Sequence, residues 1–559
     1  MSPRTKVSLA SDEVQAKFQE KMADIALKEE ERRVELAAHA QGFPYLNVEK
    51  FPVSQEALAL VPEADAKRLK LVPLLISDNE IRLGTTQAQT SDVSEYLKQL
   101  SELHPAHYGL YVISEHSLQL VLKAYAGLAK VRPMTAGVAI SETDLNRYRG
   151  AAKDLAAINK LLSRATATEF VTAIIAGALD VGASDIHIEA EEVAVVVRYR
   201  IDGILYVAAE VQKALWPQLI SRLKLLAKLK LNITTAPQDG RYTINLTNDK
   251  VDVRVSTIPT AYGESVVMRL LLSSSAGLKF DDLGLKGKAY ADLKREIARP
   301  NGLILATGPT GSGKTTTLYA ILNQLNNSET KIITLEDPIE YKLKGINQSQ
   351  VDHVKGYGFA QGLKAILRQD PDIVMVGEIR DFETAETAIN AALTGHLVIS
   401  TVHTNSAAGA ISRLLSMGVK PFLVAPAVNC AIGQRLVRRL CPDCKEEAKL
   451  APDIQARALA LLKALSTQSG DRVDVAKAKF YQGKGCAHCG HLGYKGRIGI
   501  YEILTANSKI EKLIFQNQAP EVELQEIAVK NGMITMVQDG LLKALDGITS
   551  VDEVFRVAE

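Results

Sequence analysis

Gly308-Pro309-Thr310-Gly311-Ser312-Gly313-Lys314-Thr315 fits the pattern G-x-x-x-x-G-K-[ST] at every fixed position. Those residue types share one chemistry at that spacing, the capture of a polyphosphate. Glycines let backbone N–H groups curl around an anion, and a helix opening behind the loop adds the positive end of its dipole. Lys314 offers an ammonium to the β- and γ-phosphates, and Thr315, followed by Thr316, offers a hydroxyl to Mg²⁺. The expected ligand is a nucleoside triphosphate.

Hydrolysing that ligand needs a metal, a cation clamp and a positioned water. Candidate carboxylates are Glu336 and Glu340 in Leu-Glu336-Asp-Pro-Ile-Glu340, and Glu378 after Ile373-Val-Met-Val-Gly377. Glu378 is expected as general base or water-positioning residue. Gly377 stands where a carboxylate commonly precedes it, so Mg²⁺ is expected on Thr315 and, through water, on Glu336, Glu340 or Glu378. His396 and His403 either sense the γ-phosphate or serve as core histidines. Arg254 and Arg269 each interrupt an apolar strand, where an unpaired charge is costly. Each either meets a phosphate or forms an internal ion pair with Asp252 or Glu264.

Four of the five cysteines form two C-x-x-C pairs, Cys441/Cys444 and Cys486/Cys489. Four thiolates satisfy tetrahedral Zn²⁺ with no open position, so a structural zinc is expected in preference to a redox pair. His488 and His491 are possible substitute ligands, and Cys430 reads as a buried apolar residue.

Positioning these groups requires strands that end in them. Leu303–Thr307, Lys331–Leu335, Ile373–Val376 and Leu397–Val402 are apolar runs, each followed by polar residues and separated by helical sequence. That alternation predicts a parallel sheet with its site at the strands' C-terminal ends. Upstream, strand-like alternation around Ile186 and Ile188, an Asp202-Gly203 hairpin signal and strands at Val251–Ser256 and Ser265–Leu271 predict a sheet with helices on one face. Leu215–Leu231 reads as an amphipathic helix with Lys224, Lys228 and Lys230 on a solvated face, and Pro237–Arg241 as a turn. Residues from about Ser11 to Ala40 have helical composition, and a small α/β unit with no chemical motif follows. The expected domains are 1–130 (accessory), 131–150 (linker), 151–276 (second N-terminal domain) and 277–559 (ATPase-type domain with the cysteine element at 441–489 and C-terminal helices).

The 559 residues exceed what one core organises. With 47 % apolar and 23 % charged residues the composition is that of an ordinary soluble protein, and a net charge of +2 gives no electrostatic case for nucleic acid. No apolar run approaches the roughly 18 residues of a membrane span, and the charged N-terminus has no signal-peptide core. A cytoplasmic protein without direct membrane insertion is expected.

Four blocks together resemble the secretion and type IV pilus ATPases: the loop at Gly308–Thr315, the Asp box at Glu336–Glu340, Gly377-Glu378 with Ile-Arg380-Asp381, and the His box from Thr394-Gly-His396 to His403. Ser184-Asp-Ile-His-Ile-Glu189 and Pro237-Gln-Asp-Gly-Arg241 are similar to that family as well. The resemblance implies a multidomain P-loop NTPase with a RecA-like sheet behind a PAS-like α/β domain, hydrolysing ATP to ADP with Mg²⁺. It also implies a homo-hexamer in which the second domain packs on a neighbour's ATPase domain and Arg254 and Arg269 reach the γ-phosphate. The long N-terminal region and the tetracysteine element resemble the PilB-type assembly (extension) ATPases or the GspE/PulE-like type II secretion ATPases, and this reading does not separate them. Gly42-Phe-Pro-Tyr to Val72-Pro-Leu-Leu resembles the general N-domain of both, while Arg82-Leu-Gly84 is too short to mark a cyclic-dinucleotide repeat. The implied partners are an inner-membrane platform protein and cytoplasmic assembly proteins, which would tie the chain peripherally to that membrane. A DNA translocase and a nucleotide-switched scaffold are the competing classes. Near-neutral charge argues against the first, and intact Lys314, Glu378, Arg254 and Arg269 argue against the second.

Overall fold

A computed structural model describes residues 12–51, 53–58, 60–77, 80–103, 107–127, 140–150, 154–162, 167–247, 249–272, 279–516 and 519–558. The chain divides into two compact units, residues 1–137 and 138–559. The first part of the expected linker and the boundary near Gly277 lie outside the described residues.

In the first unit a long helix, Asp12–Ala40, precedes a three-stranded sheet of β1 (Leu71–Ser77), β2 (Glu80–Thr85) and β3 (His107–Val112). β1 pairs antiparallel with β2, and β2 parallel with β3. The parallel step needs a crossover, which the helix Ser91–Leu103 supplies. Leu71, Leu74, Leu83, Ile113, Leu118 and Val121 form its core.

The second unit holds two large sheets. The first contains β4 (Ala183–Ala190), β5 (Ala194–Ile201), β6 (Ile204–Gln212), β7 (Gln238–Asn245), β8 (Lys250–Thr260) and β9 (Gly263–Leu272), in the order β6-β5-β4-β9-β8-β7. Every pairing is antiparallel. Asp202 and Gly203 both adopt left-handed φ (49° and 90°), the geometry of a tight hairpin between β5 and β6. One face buries Ile186, Ile188, Val197, Tyr199, Val253, Val255, Val266 and Met268 with residues of the helices Ala167–Asp180 and Trp216–Leu226. The opposite face carries the alternate, charged positions.

Two expectations in this sheet fail. Gln238–Arg241 is not a turn but the first half of β7, paired residue for residue with β8. Gly240 is needed there because a Cβ would lie 2.3 Å from the Ala227 carbonyl oxygen. Lys224 does not lie on a solvated face. Its side chain is 2 % exposed, and its ammonium sits 2.7 Å from Glu264 and donates to the Ile233 carbonyl at 2.6 Å. A lysine can occupy an inward helical position when a carboxylate is buried with it.

The second large sheet contains β10 (Gly302–Thr307), β11 (Ile332–Glu336), β12 (Asn347–Gln350), β13 (Ile373–Val376), β14 (Leu397–Val402) and β15 (Val428–Leu440). After the small hairpin of β16 (Lys445–Glu447) and β17 (Tyr481–Gly483), β18 (Tyr494–Thr505) completes it. The order is β12-β11-β13-β14-β10-β15-β18, parallel except for β18. β10, β11, β13 and β14 are buried at every residue. That is why they read as mostly apolar runs, broken only by small hydroxyl residues such as Thr334, Ser400 and Thr401, with the charged groups at or beyond their ends. Among the described residues no helix is long and apolar enough to cross a membrane.

Candidate nucleotide site and tetracysteine cluster

β10 runs into the loop at Gly308, and the helix Lys314–Leu325 leaves it. Gly308, Gly311 and Gly313 take φ of 148°, 81° and 87°, which a side chain rarely tolerates. A Cβ on Gly308 would lie 2.5 Å from the Gln434 carbonyl oxygen and 2.6 Å from Ser312 Oγ. Pro309, Thr310 and Gly311 form the exposed rim, and Thr315 and Thr316 are exposed on the first helical turn. Lys314 curls back so that its ammonium donates to the carbonyls of Gly308 (2.8 Å) and Pro309 (3.1 Å). Burial pulls its pKa below the usual value, opposed by the Glu378 carboxylate. Ser312 Oγ is buried without a hydrogen-bond partner. An orphaned hydroxyl, a sequestered ammonium and a cradle that a Cβ would fill suit a phosphate group.

Glu378 follows β13 and is largely buried, with Arg380 Nη2 at 2.6 Å on one oxygen and His403 Nε2 at 3.0 Å on the other. His403, after β14, therefore stands beside the candidate base. His396 does not. Its Nδ1 bonds the Ala391 carbonyl at 3.1 Å, at the end of the helix Phe382–Leu393.

The remaining acids separate in the same way. Glu336, at the end of β11, is buried and engaged by Tyr319 OH, Thr334 Oγ1 (2.6 Å) and Gln348 Nε2 (3.0 Å). With those partners it braces the strand end. Glu340 lies 2.8 Å from Arg254 Nη1, and Arg254 Nη2 also donates to the Ile339 carbonyl at 2.9 Å. Arg254 thus crosses from the antiparallel sheet to the Asp box of its own chain. Arg269 is half exposed and pairs with Asp185 at 3.1 Å. Neither arginine takes Asp252 or Glu264.

Two residues absent from the sequence reading complete the loop's surroundings. Gln434 on β15 donates to the Ser312 carbonyl at 2.9 Å and accepts from Thr317 Oγ1 at 2.8 Å. Arg435 Nη1 donates to the Gln434 carbonyl at 3.0 Å, and Nη2 to that of Asn405 at 3.1 Å. The available signal was a Gln-Arg pair inside the apolar run Val428–Val437, the same signal that singled out Arg254 and Arg269.

β15 leads directly into the cysteine cluster. The sulfurs of Cys441 and Cys486 lie 3.8 Å apart, those of Cys444 and Cys489 3.9 Å, and those of Cys486 and Cys489 3.8 Å. A tetrahedron with Zn–S bonds of about 2.3 Å has sulfurs about 3.8 Å apart, so the four fit that ion. Backbone N–H groups of Gly485, Cys486 and Gly493 point at the sulfurs of Cys444 and Cys489. His488 pairs with Asp443 instead. Cys430 is buried in β15, and burial pushes its thiol pKa up.

A loop built this way at the end of a central parallel strand, with a carboxylate at the tip of another strand of the same sheet, defines a P-loop ATPase. Residues 160–556 match the family described as Type II/IV secretion system protein, and residues 41–131 match the MshEN domain. The chain belongs to the type II/IV secretion system protein family. It is 38 % identical over 528 residues to the type IV pilus assembly ATPase PilB of Myxococcus xanthus, covering 94 % of this chain and 91 % of that one. It is 45 % identical over 391 residues to the type II secretion system ATPase E of Vibrio cholerae, covering 70 % and 75 %. The solved Legionella pneumophila ATPase DotB shares the fold, with a TM-score of 0.51 at 21 % identity over 70 % of this chain and 96 % of its own.

Proposed function

We propose that this chain is a hexameric ATPase motor that couples ATP hydrolysis to pilin polymerisation at an inner-membrane platform. The observation carrying the ATPase reading is the cradle formed by Lys314, Ser312 and the loop glycines. Pilus assembly is favoured over type II secretion because the similarity to the pilus ATPase runs through the N-terminal unit, whereas the secretion relative matches 70 % of the chain. Replacing the chromosomal gene with the Glu378→Gln form should remove surface pili while leaving exoprotein secretion intact. Normal piliation with lost secretion would reverse the choice. ATP turnover unaffected by added DNA excludes a translocase.

Lys314 grips the β- and γ-phosphates, exchanging its two carbonyl partners for phosphate oxygens. Thr315, with Glu340 or Glu378 through water, would hold Mg²⁺, and the ion would supply positive charge against the charge of the transferring phosphoryl group. Glu378 accepts the attacking water's proton, and Arg380 and His403 fix its carboxylate. Arg254 and Arg269 approach the γ-phosphate. The contact between Arg254 and Glu340 supports delivery within one chain, unlike the neighbour-supplied arrangement that the family resemblance implies. Mixing Arg269→Ala with Lys314→Ala subunits tests this. No recovered turnover is expected, and recovery assigns the arginines to the neighbour.

Cys441, Cys444, Cys486 and Cys489 would hold one structural Zn²⁺ per chain. Metal analysis of protein purified under reducing conditions should find it, and a metal-free, fully folded protein would rule it out.

A further inference from the structure

The open face of the antiparallel sheet carries a row of charge that no isolated protein needs. Pairing sets Arg241 opposite Arg254, Arg254 opposite Arg269, Arg269 opposite Asp185 and Asp185 opposite Arg200. Five strands thus contribute one residue each, four arginines and one aspartate, all from the face opposite the core. Like charges directly opposite on neighbouring strands repel, and two of the four pairings are arginine against arginine.

Asp185 serves Arg269 (3.1 Å) and Arg200 (3.6 Å), and Glu340 serves Arg254 (2.8 Å). Arg241 is exposed at the edge strand and has no carboxylate within ion-pair distance among the described residues. It flanks the arginine that already reaches the Asp-box loop at Ile339 and Glu340.

We propose that Arg241 is a further phosphate-binding residue, which joins Arg254 and Arg269 as a three-arginine row that takes the terminal phosphate of the bound triphosphate. This rests on the proposed function above. A phosphoryl group offers several anionic oxygens to planar forks in series, and it relieves both repulsive pairings at once. A diphosphate lacks the group that the row receives, so Arg241 helps to distinguish ATP from ADP.

The test is equilibrium binding of a non-hydrolysable ATP analogue and of ADP to Arg241→Gln, Arg254→Gln and Arg269→Gln, with melting of the nucleotide-free proteins measured alongside. Arg241→Gln should lose about tenfold or more for the triphosphate, the size of one charge-assisted contact. Its ADP affinity should stay within about threefold of wild type. Its nucleotide-free melting temperature should hold or rise, because a repulsive pair is gone. Triphosphate affinity within about threefold of wild type, beside a clear loss in Arg254→Gln, overturns the role of Arg241 and leaves the proposed function standing. Unchanged affinity in all three Gln variants overturns the reading of this face altogether. Should Arg241→Gln melt early, binding is measured well below its melting temperature, where triphosphate affinity within about threefold of wild type overturns the proposal.

Discussion

The two large sheets of the second unit do opposite things with their polar residues. The parallel sheet is covered on both sides, so its chemistry sits beyond the strand tips: the loop after β10, Glu378 after β13 and His403 after β14. The antiparallel sheet is covered on one side, so its chemistry spreads across the other, as the row from Arg241 to Arg200. One sheet delivers residues end-on and the other face-on, and Arg254 against Glu340 is one place where they meet. Damage to the end-on sheet should therefore strike binding and chemistry directly. Damage to the face-on sheet's scaffold should strike stability while the loop still binds.

Lys314→Ala should give the largest effect, a loss of at least about a hundredfold in nucleotide affinity, since two charge-assisted contacts are worth roughly 1.5–3 kcal/mol each. Fluorescent nucleotide titration checks it, and wild-type-like binding would sink the loop assignment. Glu378→Gln should bind normally yet lower kcat by about two to four powers of ten, the range of general base catalysis. A kcat within about threefold of wild type in a steady-state assay would pass the role to Glu340. Lys224→Met probes the other sheet. It leaves Glu264 buried and uncompensated, at a cost of about 3–5 kcal/mol. Urea unfolding should show that loss with nucleotide affinity retained, and adding Glu264→Leu should recover most of it. Equal loss of nucleotide binding in Lys224→Met would erase the proposed division of labour.

How legible each sheet was follows from the same contrast. Continuous apolar runs ending in Gly, Glu or His announce parallel strands and their tips, and the loop and Glu378 stand where the residues imply. Alternation announced β4, β8 and β9, and Asp202-Gly203 announced the hairpin. What stayed hidden depends on pairing across long sequence separations. Arg254 chose Glu340, 86 positions away, over nearer acids. Lys224 turned inward because β9 brings Glu264 beneath its helix. Gln238–Arg241 looked like a turn because Asp and Gly usually mark one, and only the approach of Ala227 explains Gly240 within a strand. Gln434 was missed because β15 meets the loop only through the fold.

Gln434 also bears on kinetics. Its amide ties the Ser312 carbonyl to Thr317, so the loop is already shaped when nucleotide arrives. Little ordering entropy remains to be lost on binding, and only the Lys314 contacts need to exchange. Stopped-flow association at one site should therefore be a single phase whose rate rises linearly with nucleotide concentration. Gln434→Ala should bend that line towards a plateau, because the loop must then find its shape before the phosphate can settle.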